Sequence, residues 1–345
     1  MTVTEPGAAP EDTGTVLKVS GLEAGYERPG RHGFGRTRVP VVAGIDLAVR
    51  AGRTLGVVGE SGCGKSTLAR AIVGLRPPFA GTIEFAGADL AAAPPRRRRR
   101  LSRDLQMVFQ DPYTSLNPRM TVAAVIAEGW SVHPGIVPRD RRDAEVARLL
   151  ELVGLRADHG GRRLHELSGG QCQRVAIARA LALRPRLIVC DEAVSALDVS
   201  VRAQILNLLA DLQAELDVAY LFISHDLDVV RHISHDVAVM YLGTVVEYGT
   251  AADVFGDPQH PYTRALLSAA PSVHDRPESA AGGIVLTGEV PSPAAPPSGC
   301  RFRTRCYMAT DACAADVPAL EPRDGLPQSV ACHFADSAGS TAPPP

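Results

Sequence analysis

Two clusters of residues in this chain have types and spacings suited to polyphosphate chemistry. The first is Gly59-Glu-Ser-Gly-Cys-Gly-Lys-Ser66, which fits the pattern G-x-x-x-x-G-K-[ST]. Gly59, Gly62 and Gly64 let backbone N–H groups turn inward around phosphate oxygens, and a helix starting here would add its positive N-terminal end. Ser61, Cys63 and Thr67 lie within or directly after that cradle. Lys65 supplies a mobile positive charge for the outer phosphates, and the Ser66 hydroxyl suits magnesium. The chain has only two lysines, Lys18 and Lys65, so finding one here argues against a chance Gly-rich turn. The second cluster is Asp191-Glu192, at the end of the apolar run Leu187-Ile-Val-Cys190. Carboxylates delivered by a buried strand need a cation, because an unpaired buried charge is costly. Asp191 is expected to hold magnesium and Glu192 to act as general base on an attacking water. Taken alone, the pair reads equally well as an acidic cap for the next helix. His225, after Leu221-Phe-Ile-Ser224, is either a group that reaches a terminal phosphate or an ordinary structural histidine.

Positioning these groups requires strands that end at one place. Residues 54–58, 187–190 and 219–223 read as strands and 66–75 as a helix. Residues 15–58 read as short strands around a Gly/Arg-rich loop at 28–38. Residues 82–110 return to strand character around a Pro-Pro-Arg-rich segment, and 112–180 read as mainly helical, with a clear amphipathic period at 142–153. Strands alternating with helices predict a mostly parallel sheet, which places ligands at the carboxyl ends of its strands. All three polar clusters fall at such ends. With 345 residues, 45% of them hydrophobic, the chain can bury a full core, and a formal charge of −2 argues against a protein that coats nucleic acid. No run approaches the roughly 18–20 apolar residues of a membrane-spanning helix. Residues 1–14 are acidic and Pro/Gly/Ala-rich, unlike a secretory signal. The expectation is a soluble cytoplasmic protein whose membrane role, if it has one, comes from docking onto other subunits.

Leu167-Ser-Gly-Gly-Gln171, followed by Arg174 and an Ala-rich helix, resembles the signature motif of ABC ATPases and lies between the phosphate loop and the acidic strand, as in that family. Ser168, Gly169, Gly170 and Gln171 precede a helix N-terminus, making a second anion cradle. The resemblance covers residues 16–334. It implies an α/β fold of the P-loop NTPase kind: an ABC-type nucleotide-binding domain with a mostly parallel core sheet, an antiparallel β subdomain and a helical subdomain, plus a small Cys-containing C-terminal extension. It also implies ATP and Mg2+, and a head-to-tail dimer in which one subunit's signature covers the other's ATP. Gln110 in Val108-Phe-Gln-Asp-Pro112 resembles the glutamine loop that senses magnesium. Ser195-Ala-Leu-Asp198 resembles the dimer-contact loop, His225 the switch histidine and Tyr26 the aromatic that stacks on adenine. Cys172 stands where glutamine is usual and Ala193 where proline is usual, and neither position carries the chemistry.

Gln259-His-Pro-Tyr-Thr-Arg-Ala-Leu-Leu267, Ser298-Gly-Cys-Arg-Phe-Arg-Thr-Arg-Cys306 and Val330-Ala-Cys-His333 resemble the tail of oligopeptide/dipeptide importer ATPases. The expected organisation is a disordered tail at 1–14, the ATPase domain at 15–265 with its helical subdomain at about 112–180, the C-terminal region at 266–334, and a disordered tail at 335–345. The implied partners are two transmembrane permeases, a second ATPase subunit (a copy or a paralogue) and, indirectly, an extracytoplasmic solute-binding protein, with no nucleic acid. The implied place is the cytoplasmic face of the membrane and the implied cargo is di- or oligopeptides. Nickel chelates, sugars, glutathione and a soluble non-transport ABC ATPase are the alternatives. Cys300, Cys306, Cys313 and Cys332 are separated by five, six and eighteen residues, a spacing unlike ferredoxins or common zinc fingers. The family resemblance suggests a [4Fe-4S] cluster, with Zn2+ or free thiols as alternatives. Arg96 to Arg100 reads as a solvated, like-charged face.

Overall fold

The computed structural model describes residues 14–29, 36–269, 284–323 and 325–335. Its strands in chain order are β1 (Thr15–Pro29), β2 (Arg36–Arg50), β3 (Thr54–Val58), β4 (Ala80–Phe85), β5 (Ala88–Asp89) and β6 (Leu105–Val108). They continue with β7 (Leu187–Asp191), β8 (Ala219–Ile223), β9 (Asp236–Tyr241), β10 (Thr244–Thr250), β11 (Glu321–Pro322) and β12 (Ser329–Val330). One sheet runs β11-β12-β10-β9-β3-β8-β7-β6, parallel from β9 to β6, and the other is antiparallel in the order β2-β1-β4-β5. β3, β7 and β8 are buried at every position. That is why each reads as an unbroken apolar run, as central strands covered on both faces do. Parallel pairing sets Cys190 beside Phe222 and Asp191 beside Ile223, so the ends of β7 and β8 open at the same edge.

Helices Val122–Val132, Arg142–Leu152 and Gly169–Leu181 form the helical subdomain. They pack around the fully buried Trp130 with Ile126, Leu149, Leu150 and Val175. The Trp130 indole N–H donates to the Ala182 carbonyl at 2.8 Å, so the ring is buried without an orphaned donor. Thr121 caps the first of these helices by accepting from Ala124 N–H.

Two expectations change. Residues 95–104 form a helix, Pro95–Asp104, not a strand: proline suits a first turn and arginine is a good helix former. None of its residues is buried, as a solvated face requires, yet Arg98 donates to the Leu90 and Ala91 carbonyls and Arg99 to that of Val132. The C-terminal extension joins the main sheet: Val330 of β12 pairs with Glu247 of β10. Ala335, expected in a disordered tail, is 1% exposed and packs with Val330 and Cys332. The other residues of the expected tails, apart from Gly14, lie outside the described residues, as do residues 30–35 and 270–283.

Candidate nucleotide-hydrolysis site

The phosphate loop leaves β3 and enters helix Lys65–Ile72. Gly59 and Gly64 have φ of 154° and 111°, and a Cβ on them would lie 2.2 Å from Met240 O and 2.9 Å from Val41 O. Only glycine fits at such close approach. Lys65 is 4% exposed, and its ammonium donates to the Gly59 and Glu60 carbonyls at 2.7 and 3.0 Å. Ser61 and Gly62 form the exposed rim, whereas Cys63 and Thr67 are buried beneath it. Cys63, 3% exposed, forms the floor, and burial pushes its thiol up. Its carbonyl accepts from Gly243 N–H at 2.8 Å.

The Ser66 hydroxyl donates to Asp191 Oδ1 at 2.9 Å. Asp191 is 4% exposed, and burial raises its pKa against the opposing pull of that hydrogen bond. A hydroxyl and a carboxylate converging here are the hard oxygen donors that magnesium prefers, so the residues fit the ion. Glu192 follows at φ 50°, a left-handed conformation costing about 1–3 kcal/mol in a non-glycine residue. Its N–H donates to Ile223 O at 2.9 Å, which fixes this corner. The Glu192 carboxylate accepts from the Gln110 amide at 2.9 Å and lies 3.3 Å from His225 Nδ1. Of the three residues expected to be catalytic, Glu192 therefore contacts both Gln110 and His225. The Gln110 amide nitrogen meets Glu192, which leaves its amide oxygen as the atom suited to magnesium.

Ser168 and Gln171 form a reciprocal capping box: Ser168 Oγ accepts from Gln171 N–H at 3.3 Å, and Gln171 Oε1 accepts from Ser168 N–H at 2.9 Å. A Cβ on Gly170 would meet Val201 at 2.5 Å. Ser168 and Asp198 are exposed and Gly169 is half-buried. Tyr26 is 42% exposed, with the Arg76 guanidinium 4.2 Å from its ring centroid. The two departures from the family pattern are buried packing residues: Cys172 is 0% and Ala193 is 2% exposed.

The iron–sulfur or zinc expectation finds no support among the described residues. The four cysteines and His333 line one small cavity. Among the described residues, however, no group of three or more His, Cys, Asp or Glu side chains is placed to hold a metal ion. Cys306 and Cys332 sulfurs accept from the N–H groups of Met308 and Phe334, and burial pushes these thiols up to about 12 and about 11. Cys313 and Cys332 are buried and Cys300 and Cys306 half-buried.

Sequence reasoning missed Glu60 and its partners. Its N–H donates to the Tyr262 hydroxyl at 2.8 Å, and its carboxylate accepts from Arg305 at 2.7 and 3.2 Å. Ser195, expected only within the dimer-contact loop, also braces the corner, donating to Glu192 O at 2.9 Å.

A phosphate loop, a serine–aspartate pair, a glutamate held by glutamine and histidine, and an outward-facing signature together define an ATP-binding cassette. The family described as ABC transporter matches residues 42–195, and that described as the oligopeptide/dipeptide transporter C-terminal region matches residues 246–313. The chain is 47% identical over 322 residues to the di/tripeptide transport ATP-binding protein DppF of Pseudomonas aeruginosa, covering 93% of this chain and 98% of the relative. It is 47% identical over 333 residues to the oligopeptide transport ATP-binding protein OppF of Escherichia coli K12, covering 95% and 99%. A solved structure of cbiO1 from Clostridium perfringens, part of the ABC transporter complex cbiONQ, matches with a TM-score of 0.62 at 28% identity, covering 71% of this chain and 92% of that one. A dimeric ATP-binding cassette in a post-hydrolysis state with ADP and Pi matches at a TM-score of 0.59 and 25% identity, covering 68% and 98%. This chain belongs to the ABC transporter family, as an ATPase subunit with the C-terminal region of the oligopeptide/dipeptide group.

Proposed function

We propose that this chain is the ATP-hydrolysing motor of a peptide importer at the cytoplasmic face of the membrane. The convergence of Lys65, Ser66, Gln110, Asp191, Glu192 and His225 at the ends of β3, β6, β7 and β8 carries the hydrolytic part of this reading. The inward-turned N–H groups of the loop bind phosphate oxygens, and Lys65 moves from the Gly59 and Glu60 carbonyls to the outer phosphates. Magnesium, when held by Ser66 and Asp191, neutralises charge on the phosphoryl group. Glu192 takes the proton of the attacking water, and His225 orients its carboxylate. Tyr26 supports the adenine. Ser168 is exposed and Gly169, Gly170 and Gln171 are half-buried behind it, which suits covering the ATP of a second ATPase subunit, with the exposed Asp198 at the contact. Closure of that pair on ATP shifts the permeases between their states.

The C-terminal family match and the named activities of the relatives support peptides as cargo, delivered by an extracytoplasmic solute-binding protein. Among the described residues no helix is long and apolar enough to cross a membrane, so two separate permease subunits would form the path. We place the ATPase domain at 15–265 and the C-terminal region at 266–334, and no metal is assigned to its cysteines. The test is to purify tagged Glu192→Gln from membranes of its native host with ATP present and identify what accompanies it. Two multi-spanning permeases and a peptide-binding protein encoded beside them are expected. Ribosomal or DNA-associated proteins without permeases would overturn the transport reading.

A further inference from the structure

The second residue of the phosphate loop is tied to the far end of the chain. Glu60 O holds the Lys65 ammonium at 3.0 Å, while Tyr262 and Arg305 take its N–H and its carboxylate. The Arg305 side chain is 8% exposed and that of Glu60 25%, so this bidentate pair is screened far less than a surface salt bridge. Arg305 is itself held in place. Phe302 of the same turn packs edge-on against Tyr241 and Tyr262, with centroids 5.1 and 5.4 Å apart, and Arg301 donates to Leu242 O. Tyr241 ends β9, the strand beside β3. The segment between Cys300 and Cys306 is thus an arch braced on the same sheet that launches the loop.

A carboxylate at position 60 is a liability in a site for polyphosphate, because like charge opposes the ligand. Bound to Arg305, it is neutralised and held toward the arch, and the carbonyl that steadies Lys65 is fixed with it. We infer that Arg305 is a positioning residue for ATP, acting through Glu60, and that the C-terminal region is therefore part of the nucleotide site. The inference rests on ATP binding at the phosphate loop.

The test uses the full chain with a fluorescent ATP analogue to read Kd, steady-state turnover to separate KM from kcat, and a thermal melt. Arg305→Gln is expected to weaken nucleotide binding about tenfold, with kcat within about twofold, because the freed carboxylate opposes the phosphates in ground and transition states alike. Adding Glu60→Gln removes that charge and should return Kd to within about twofold of the wild type, a coupling that a double-mutant cycle measures. Arg305→Lys, which keeps the charge and loses the fork, folds more safely and should fall between the two. A purely structural role would lower the melting temperature without moving Kd, or would leave the double variant as weak as Arg305→Gln, and either result overturns the inference. A wild-type chain that fails to bind the analogue would instead sink the underlying ATP reading.

Discussion

The two cradles proposed to hold phosphate are built in opposite ways. The loop at 59–66 is internally braced: Lys65 on Gly59 and Glu60, Ser66 on Asp191, Glu60 on Arg305 and Tyr262. The signature at Ser168–Gln171 is bonded mainly to itself, through a capping box at an exposed helix N-terminus. A cradle that must pre-form its contacts is held from every side. One that must meet a ligand brought by another subunit needs only a firm helix start and an open face. Under the proposed function, the difference matches nucleotide binding by one chain and completion of the catalytic site by two.

Glu192→Gln separates chemistry from binding most sharply. Hydrolysis should fall about 10²–10⁴-fold, the usual contribution of a general base, while nucleotide affinity measured by fluorescence stays near the wild type. Lys65→Ala strikes the braced cradle, and loss of a charge-assisted hydrogen bond of about 1.5–3 kcal/mol should weaken ATP binding by about 10–150-fold in the isolated chain. Ser168→Arg strikes the open one, so it should leave that affinity unchanged yet lower turnover in the assembled complex more than about tenfold. An equal loss of affinity in both variants would erase the distinction.

Asp191 gives a smaller, pH-dependent contrast. Burial raises its folded pKa, so the folded chain binds the proton more tightly than the unfolded one. Without metal, this contribution to stability grows as pH falls through the raised value and is complete below the ordinary aspartate range. Magnesium needs the carboxylate, so stabilisation by Mg·ATP should weaken over the same interval. Thermal melts against pH with and without Mg·ATP should show opposite slopes, both flattened in Asp191→Asn. Least of all, Ser168→Ala removes one helix cap and should cost about 1 kcal/mol in a denaturant titration.

What could be read from the sequence follows the distance between interacting residues. The phosphate loop and the acidic strand end are contiguous patterns whose chemistry is local, and the central strands announce themselves as unbroken apolar runs. The Glu60–Arg305 pair joins residues 245 positions apart, and nothing in either segment names the other. The helix Pro95–Asp104 lies inside a stretch that reads as strand, and the carbonyls that Arg98 and Arg99 hold lie in other segments. The cysteines were legible as a cluster and do share one cavity, but their packing is set by backbone N–H groups and burial that spacing does not encode.

The most direct test of the two-cradle account is the rate of ATP hydrolysis per chain as the purified protein is diluted, measured beside nucleotide Kd on the same samples. Turnover that falls with dilution, or appears only when a second ATPase subunit is added, while Kd stays constant, is the predicted result. A constant rate per chain from a monomer at every dilution would contradict it.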